Sequence, residues 1–169
     1  RALNIAWPSA AETVLVSLVG SVDTIMVGGL GPAAIAAVGL TNQPKFILLA
    51  LINSLNVGVT TVVARRRGQE NKEGAQKCVR VALMITFTLS LILAILGFVF
   101  AEPIMSISGA AADTMQDSID YFRILMIGFV PMCIGLTVNA AQRGVGNTRI
   151  AMTTNLTSNG INLIFNYLL

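Results

Sequence analysis

The chain has no histidine. That excludes a histidine metal site and any catalytic unit that relies on an imidazole base. Cysteine is nearly absent too. Cys78 and Cys133 are far apart and show no metal-ligand spacing, so they read as reduced bystanders. Charge is scarce: Asp, Glu, Lys and Arg make up 11% of the residues, against about 25% in a typical soluble domain. The net charge of +3 is small and is concentrated in one loop, which argues against nucleic-acid binding. With no histidine, no metal cluster and no nucleophile motif, an enzyme is not expected. Glu12 and Asp23 come nearest to a catalytic carboxylate pair, but they are too far apart along the chain to share chemistry.

What the chain has instead is apolar sequence, 54% of the whole, arranged in long runs. A membrane-crossing helix needs about 20 mainly apolar residues. Five such spans are expected, at 6–27, 33–64, 79–100, 124–141 and 150–169. The expected fold class is all-α, a polytopic transmembrane helix bundle, since a soluble bundle would need polar outer faces. The first span follows Arg1-Ala2-Leu3-Asn4 directly, with no processing site of small residues behind it. The missing initiator methionine and the apolar ending Phe165-Asn166-Tyr167-Leu168-Leu169 suggest a piece of something longer. Gly29-Leu30-Gly31-Pro32 reads as a tight turn, with Pro32 suited to the first turn of the second span.

Basic residues orient the bundle. Arg65, Arg66, Arg67, Lys72, Lys77 and Arg80 lie between the second and third spans, and Arg143 and Arg149 between the fourth and fifth. The third-to-fourth segment is acidic, with Glu102, Asp113, Asp117 and Asp120 against Arg123. This pattern implies a cytoplasmic N-terminus in a plasma (cytoplasmic) membrane. The segment 109–121 reads as an external connector leading into an amphipathic helix start. Its aspartates recur at helical spacing on a solvated face, not in the closer pattern of a calcium loop.

The polar residues inside the spans carry the functional expectation. Asp23 stands in the run Val19-Gly20-Ser21-Val22-Asp23-Thr24-Ile25-Met26-Val27-Gly28. A carboxylate at membrane depth costs about 2.5–3.5 kcal/mol by insertion scales, so by default it marks an ion or proton site. Glu12 lies eleven residues earlier, just over three turns and about 16 Å along the axis, on the same face. Two acids on one face suggest that this face looks into a polar cavity; the alternative places each near opposite headgroup layers. Pro8 permits a kink in the same helix. The fifth span is rich in amides, with Asn155, Asn159, Asn162 and Asn166 along one stripe. That stripe faces either a wet pocket or a neighbouring helix. An amide does not titrate, so these residues could position a cation or Asp23 but not carry the proton. Asn139 and Gln142 end the fourth span, and Asn53 and Asn56 stand mid-way along the second; each taken alone reads as packing glue.

These elements together resemble the N-terminal lobe of the MATE (multidrug and toxic compound extrusion) transporters. The resemblance runs through Trp7-Pro8 to Glu12, Val22-Asp23-Thr24-Ile25-Met26-Val27-Gly28, Ala36-Ala37-Val38-Gly39-Leu40, Gly58-Val59, Ala64-Arg65-Arg66-Arg67-Gly68, Gln142-Arg143-Gly144-Val145-Gly146-Asn147-Thr148-Arg149 and Asn162-Leu163-Ile164-Phe165-Asn166. Each piece is degenerate, but their order and spacing are specific. The resemblance implies twelve helices in two six-helix lobes, of which this chain holds about five of the first six, with helix six and the second lobe absent. It implies antiport of cationic or amphipathic drugs against Na+ or H+ across the lipid bilayer, with no cofactor beyond the coupling ion.

In the family's terms Asp23 is the N-lobe coupling residue and Asn162 its helix-five asparagine, where a Na+ could sit. Asn166 stands where many members place an aspartate, which removes one negative charge and favours proton coupling through Asp23. Pro8 falls where some members have the helix-one proline. Glu12, Asn159 and Asn139 are candidate cavity or substrate residues. The alternatives are a flippase for lipid-linked glycans of the same broad superfamily and a non-transporting membrane scaffold.

Overall fold

The computed structural model describes residues 14, 17, 20, 21, 29, 31–147, 150, 152–155, 157 and 158. Four helices are complete within them: α1 (Pro32–Gly68), α2 (Lys72–Val99), α3 (Ala101–Ile107) and α4 (Met115–Gly144). Val14, Ser17, Gly20 and Ser21 are also helical, in the first span, as are Ile150, 152–155, 157 and 158 in the fifth. All regular structure among the described residues is therefore α-helical, and α1, α2 and α4 are each long and apolar enough to cross a membrane.

The helices outrun the apolar runs, because local chemistry outside the hydrocarbon extends them. α1 starts on Pro32 behind Gly31, whose φ of 109° suits glycine, and ends in Arg65, Arg66 and Arg67, which complement the negative end of the helix dipole. The turn into α2 is tight, with Glu70 at a φ of 57°. α2 then begins seven residues before the expected apolar start at Val79. Asn71 caps it by accepting a 2.7 Å hydrogen bond from the Gly74 N–H, and Glu73 lies in the first turn. α4 starts at Met115 rather than Ile124, so the acidic lead-in is already helix. Asp113, Asp117 and Asp120 are exposed there, while Ser118, Ile119 and Phe122 are buried. The seven-residue α3 lies in the acidic connector and was not foreseen. It is too short to show a period, yet it buries Ala101 and Met105 in the core.

α4 is the central element and packs against α1, α2 and α3. Its buried stripe is Phe122, Met126, Phe129, Cys133, Thr137 and Ala140 to Ala141, at spacings of three and four. α2 answers with small residues: its buried positions are Ala75, Ala82, Thr86, Ser90, Ala94 and Gly97. Small side chains let helices approach closely, which drives association where lipid is as apolar as the core. Among the described glycines, Gly144 of α4 is the one whose added Cβ would meet the backbone of another helix. An added Cβ there would lie 2.9 Å from the Thr60 carbonyl oxygen and 3.0 Å from Val63 Cβ, both on α1. The outward faces are apolar, with Phe46, Ile47, Met84, Ile95, Ile124 and Ile127 among the exposed large side chains. A soluble monomer does not carry such a surface; a bilayer covers it.

Candidate functional site

Asp23, Glu12, Pro8, Asn159, Asn162 and Asn166 lie outside the described residues. Asn139 lies inside them. It is buried at 6% exposure and its Nδ2 donates to Asn155 Oδ1 at 2.8 Å. An amide of the fourth span thus pairs with an amide of the fifth-span stripe, and at this level the stripe meets a neighbouring helix.

Three helices meet at a second polar point that sequence alone did not single out. Thr137 of α4 donates to Asn56 Oδ1 of α1 at 2.8 Å and lies 2.9 Å from Thr86 Oγ1 of α2. Thr86 and Thr137 are fully buried and Asn56 is 6% exposed. The single hydroxyl proton of Thr137 faces two acceptors, Asn56 Oδ1 at 2.8 Å and the Cys133 carbonyl of its own helix at 3.1 Å; given to the nearer Asn56 Oδ1, it leaves Thr86 to donate to Thr137. Close by, Thr60 of α1 reaches the Ala140 carbonyl of α4 at 3.0 Å and its own helix at Asn56 O at 2.9 Å. Asn56 therefore acts as packing glue, as its position implied. The threonines were missed because one hydroxyl in an apolar run is a weak signal. Their usable trace was the small-residue spacing Ala82, Thr86, Ser90, Ala94.

Asn56 also borders a groove of about 390 Å³, lined among the described residues by Asn53, Asn56, Val57, Thr60, Thr61 and Arg143. Asn53 and Arg143 are both exposed. A larger groove of about 660 Å³ is almost wholly apolar, with Gln76 and Arg80 at its basic end and Leu83, Met84, Phe87 and Ile134 further in. A third, of about 860 Å³, lies at the other end of the bundle between the start of α1 and the 109–114 turn, where Asp113 lines it. Arg123 stacks over the Phe98 ring at 5.5 Å, and its buried Nε has no hydrogen-bond partner among the described residues. The described residues hold no group of three His, Cys, Asp or Glu placed to bind a metal ion.

A bundle of spanning helices joined by sparse polar contacts, with apolar outer faces, is the build of a multi-pass membrane protein. The MatE family model matches residues 8–168, and the chain belongs to that family. It is similar to the probable multidrug resistance protein NorM of Oceanobacillus iheyensis, with 26% identity over 98% of this chain and 37% of that protein. It is also similar to a FAD transporter of Shewanella oneidensis, with 28% identity over 99% of this chain and 37% of that protein. Among solved structures, it superposes on an outward-facing conformation of a multidrug resistance MATE family transporter of the MOP superfamily. The TM-score is 0.91 at 27% identity, covering 97% of this chain and 36% of that one. The chain thus spans little more than a third of the length of its relatives.

Proposed function

We propose that this chain is the N-terminal part of a secondary active efflux transporter, exporting cationic or amphipathic drugs in exchange for H+ or Na+. The observation that carries the reading is the match of residues 8–168 to the family together with the superposition on a multidrug resistance transporter. Asp23 is the coupling residue, with Asn162 and Asn166 as its candidate partners, Pro8 as the bending point of the first span, and Glu12, Asn159 and Asn139 along the cavity side. A mid-membrane carboxylate can bind and release a cation as the site faces each side in turn. Such alternation needs two halves moving about a midplane site, so the activity belongs to the intact protein. The basic end of the bundle faces the cytoplasm, in keeping with the arginines and lysines of the second-to-third and fourth-to-fifth connections.

The test is drug efflux by the full-length protein in vesicles, comparing wild type with Asp23→Asn and Asp23→Glu. Asp23→Asn should abolish gradient-driven export and Asp23→Glu should retain part of it. Normal export by Asp23→Asn removes the coupling role, and glycan flipping without drug efflux replaces the reading. With an amide at Asn166, Na+ at fixed pH should not accelerate export; strong Na+ dependence would assign sodium instead.

A further inference from the structure

The groove beside Asn56 has a chemical polarity that the family match does not specify. Asn53 lies twelve residues before Arg65 on α1, about 18 Å along the helix, which is mid-span for a bilayer core about 30 Å thick. It is exposed, and its amide has no partner among the described residues. Burying such an amide in hydrocarbon costs several kcal/mol. This face of α1 therefore looks into water or another protein element, not lipid. Asn56 lies one turn further on, where its Oδ1 is taken inward by Thr137. Asn56 also lines the groove, and its NH2 carries two donors that the bond to Thr137 does not use. Thr60 and Thr61 spend their protons on backbone carbonyls. Arg143 closes the basic end. It is placed there because glycine at 144 lets α4 come against Thr60 and Val63. Guanidinium and amide donors line the groove, and no carboxylate lies among its described lining residues.

We propose that this groove is a subsite for an oxyanion, a carboxylate or phosphate carried by a transported amphiphile, with Arg143 as its charged anchor and Asn53 and Asn56 as neutral donors. The proposal rests on the efflux reading and deepens it. Arg143 offers a planar fork of N–H donors matched to an oxyanion. Thr137 is a positioning residue, because it holds the Asn56 oxygen away from the groove. The result is a site that discriminates by the charge of the substrate's acidic end.

The experiment uses the full-length transporter and two probes: a rhodamine bearing a free benzoate and the methyl ester of the same dye. Binding is read by fluorescence polarisation in phospholipid-free detergent, and export in vesicles. Arg143→Gln should weaken binding of the free acid about tenfold, the scale of losing one charge-assisted bidentate contact, and leave the ester unchanged. Arg143→Lys should recover part of the affinity. The ester serves as the control for folding. Equal loss for both dyes, or no loss for either, overturns the subsite. So does a free-acid preference that vanishes when anionic phospholipid is added, which would assign the groove to a lipid phosphate. If wild type neither binds nor exports the ester, the efflux reading itself fails; if it handles the ester normally and Arg143→Gln does not discriminate, only the subsite fails.

Discussion

Thr137→Val removes one oxygen from the centre of the bundle and little else. Valine keeps the volume and the branching, so no cavity opens. What disappears is the link between Asn56 Oδ1 at 2.8 Å and Thr86 Oγ1 at 2.9 Å, together with a 3.1 Å contact to the Cys133 carbonyl of the same helix. Interhelical hydrogen bonds inside membranes average about 0.6 kcal/mol and reach about 1.7 kcal/mol. An orphaned buried acceptor adds about 1–3 kcal/mol. Thr86 can turn its hydroxyl back onto its own helix, as threonines commonly do, so part of the loss is recovered on α2. Thr137→Val should therefore cost about 1.5–2.5 kcal/mol by these scales. Thr86→Val should cost only about 0.5–1 kcal/mol, because Thr137 still donates to Asn56 when the upstream donor is gone. The double variant should cost at most about 0.5 kcal/mol more than Thr137→Val alone, since the three groups form one chain. Reversible unfolding of the full-length transporter in bicelles measures all three. A Thr137→Val protein within about 0.3 kcal/mol of wild type, or strictly additive single variants, would refute the directed chain.

Two further perturbations follow from the packing and the caps. Gly144→Ala should lower stability by about 1–3 kcal/mol, because the added methyl meets α1 backbone at 2.9 Å and the helices must part; thermal unfolding reads it, and an unchanged midpoint would show that α1 and α4 are not held so close. Asn71→Ala should cost about 1 kcal/mol through loss of the cap to Gly74 N–H, and faster amide exchange confined to the first turn of α2 would locate the effect.

Much of the fold was legible because the bilayer imposes a simple rule: long apolar runs must be helices, since no other backbone satisfies itself in lipid. The spans around Leu49, Ile92 and Val130 needed nothing more. Where the rule stops, legibility stops with it. The first seven residues of α2 and the first nine of α4 are polar helix, extended by the Asn71 cap and by packing of Ile119 and Phe122, so hydropathy alone started those helices late. α3 is too short for periodicity, and only the burial of Met105 explains it.

The candidate site divides the same way. Composition and order of residues determined the membrane setting, the exclusion of histidine chemistry, the sidedness pattern of the arginines and lysines, and the resemblance that the family match bears out over residues 8–168. A sequence carries charge and hydropathy directly, and both act residue by residue. Which amides meet is a different quantity, because it depends on the rotation of each helix about its axis. Only the tertiary structure turned Asn56 toward Thr137 and Thr86, paired Asn139 with Asn155, and brought Arg143 into one groove with Asn53 and Thr60. Close packing at Gly144 and along the small face of α2 decided those rotations, and with them which polar groups are spent holding the bundle and which remain to meet a solute.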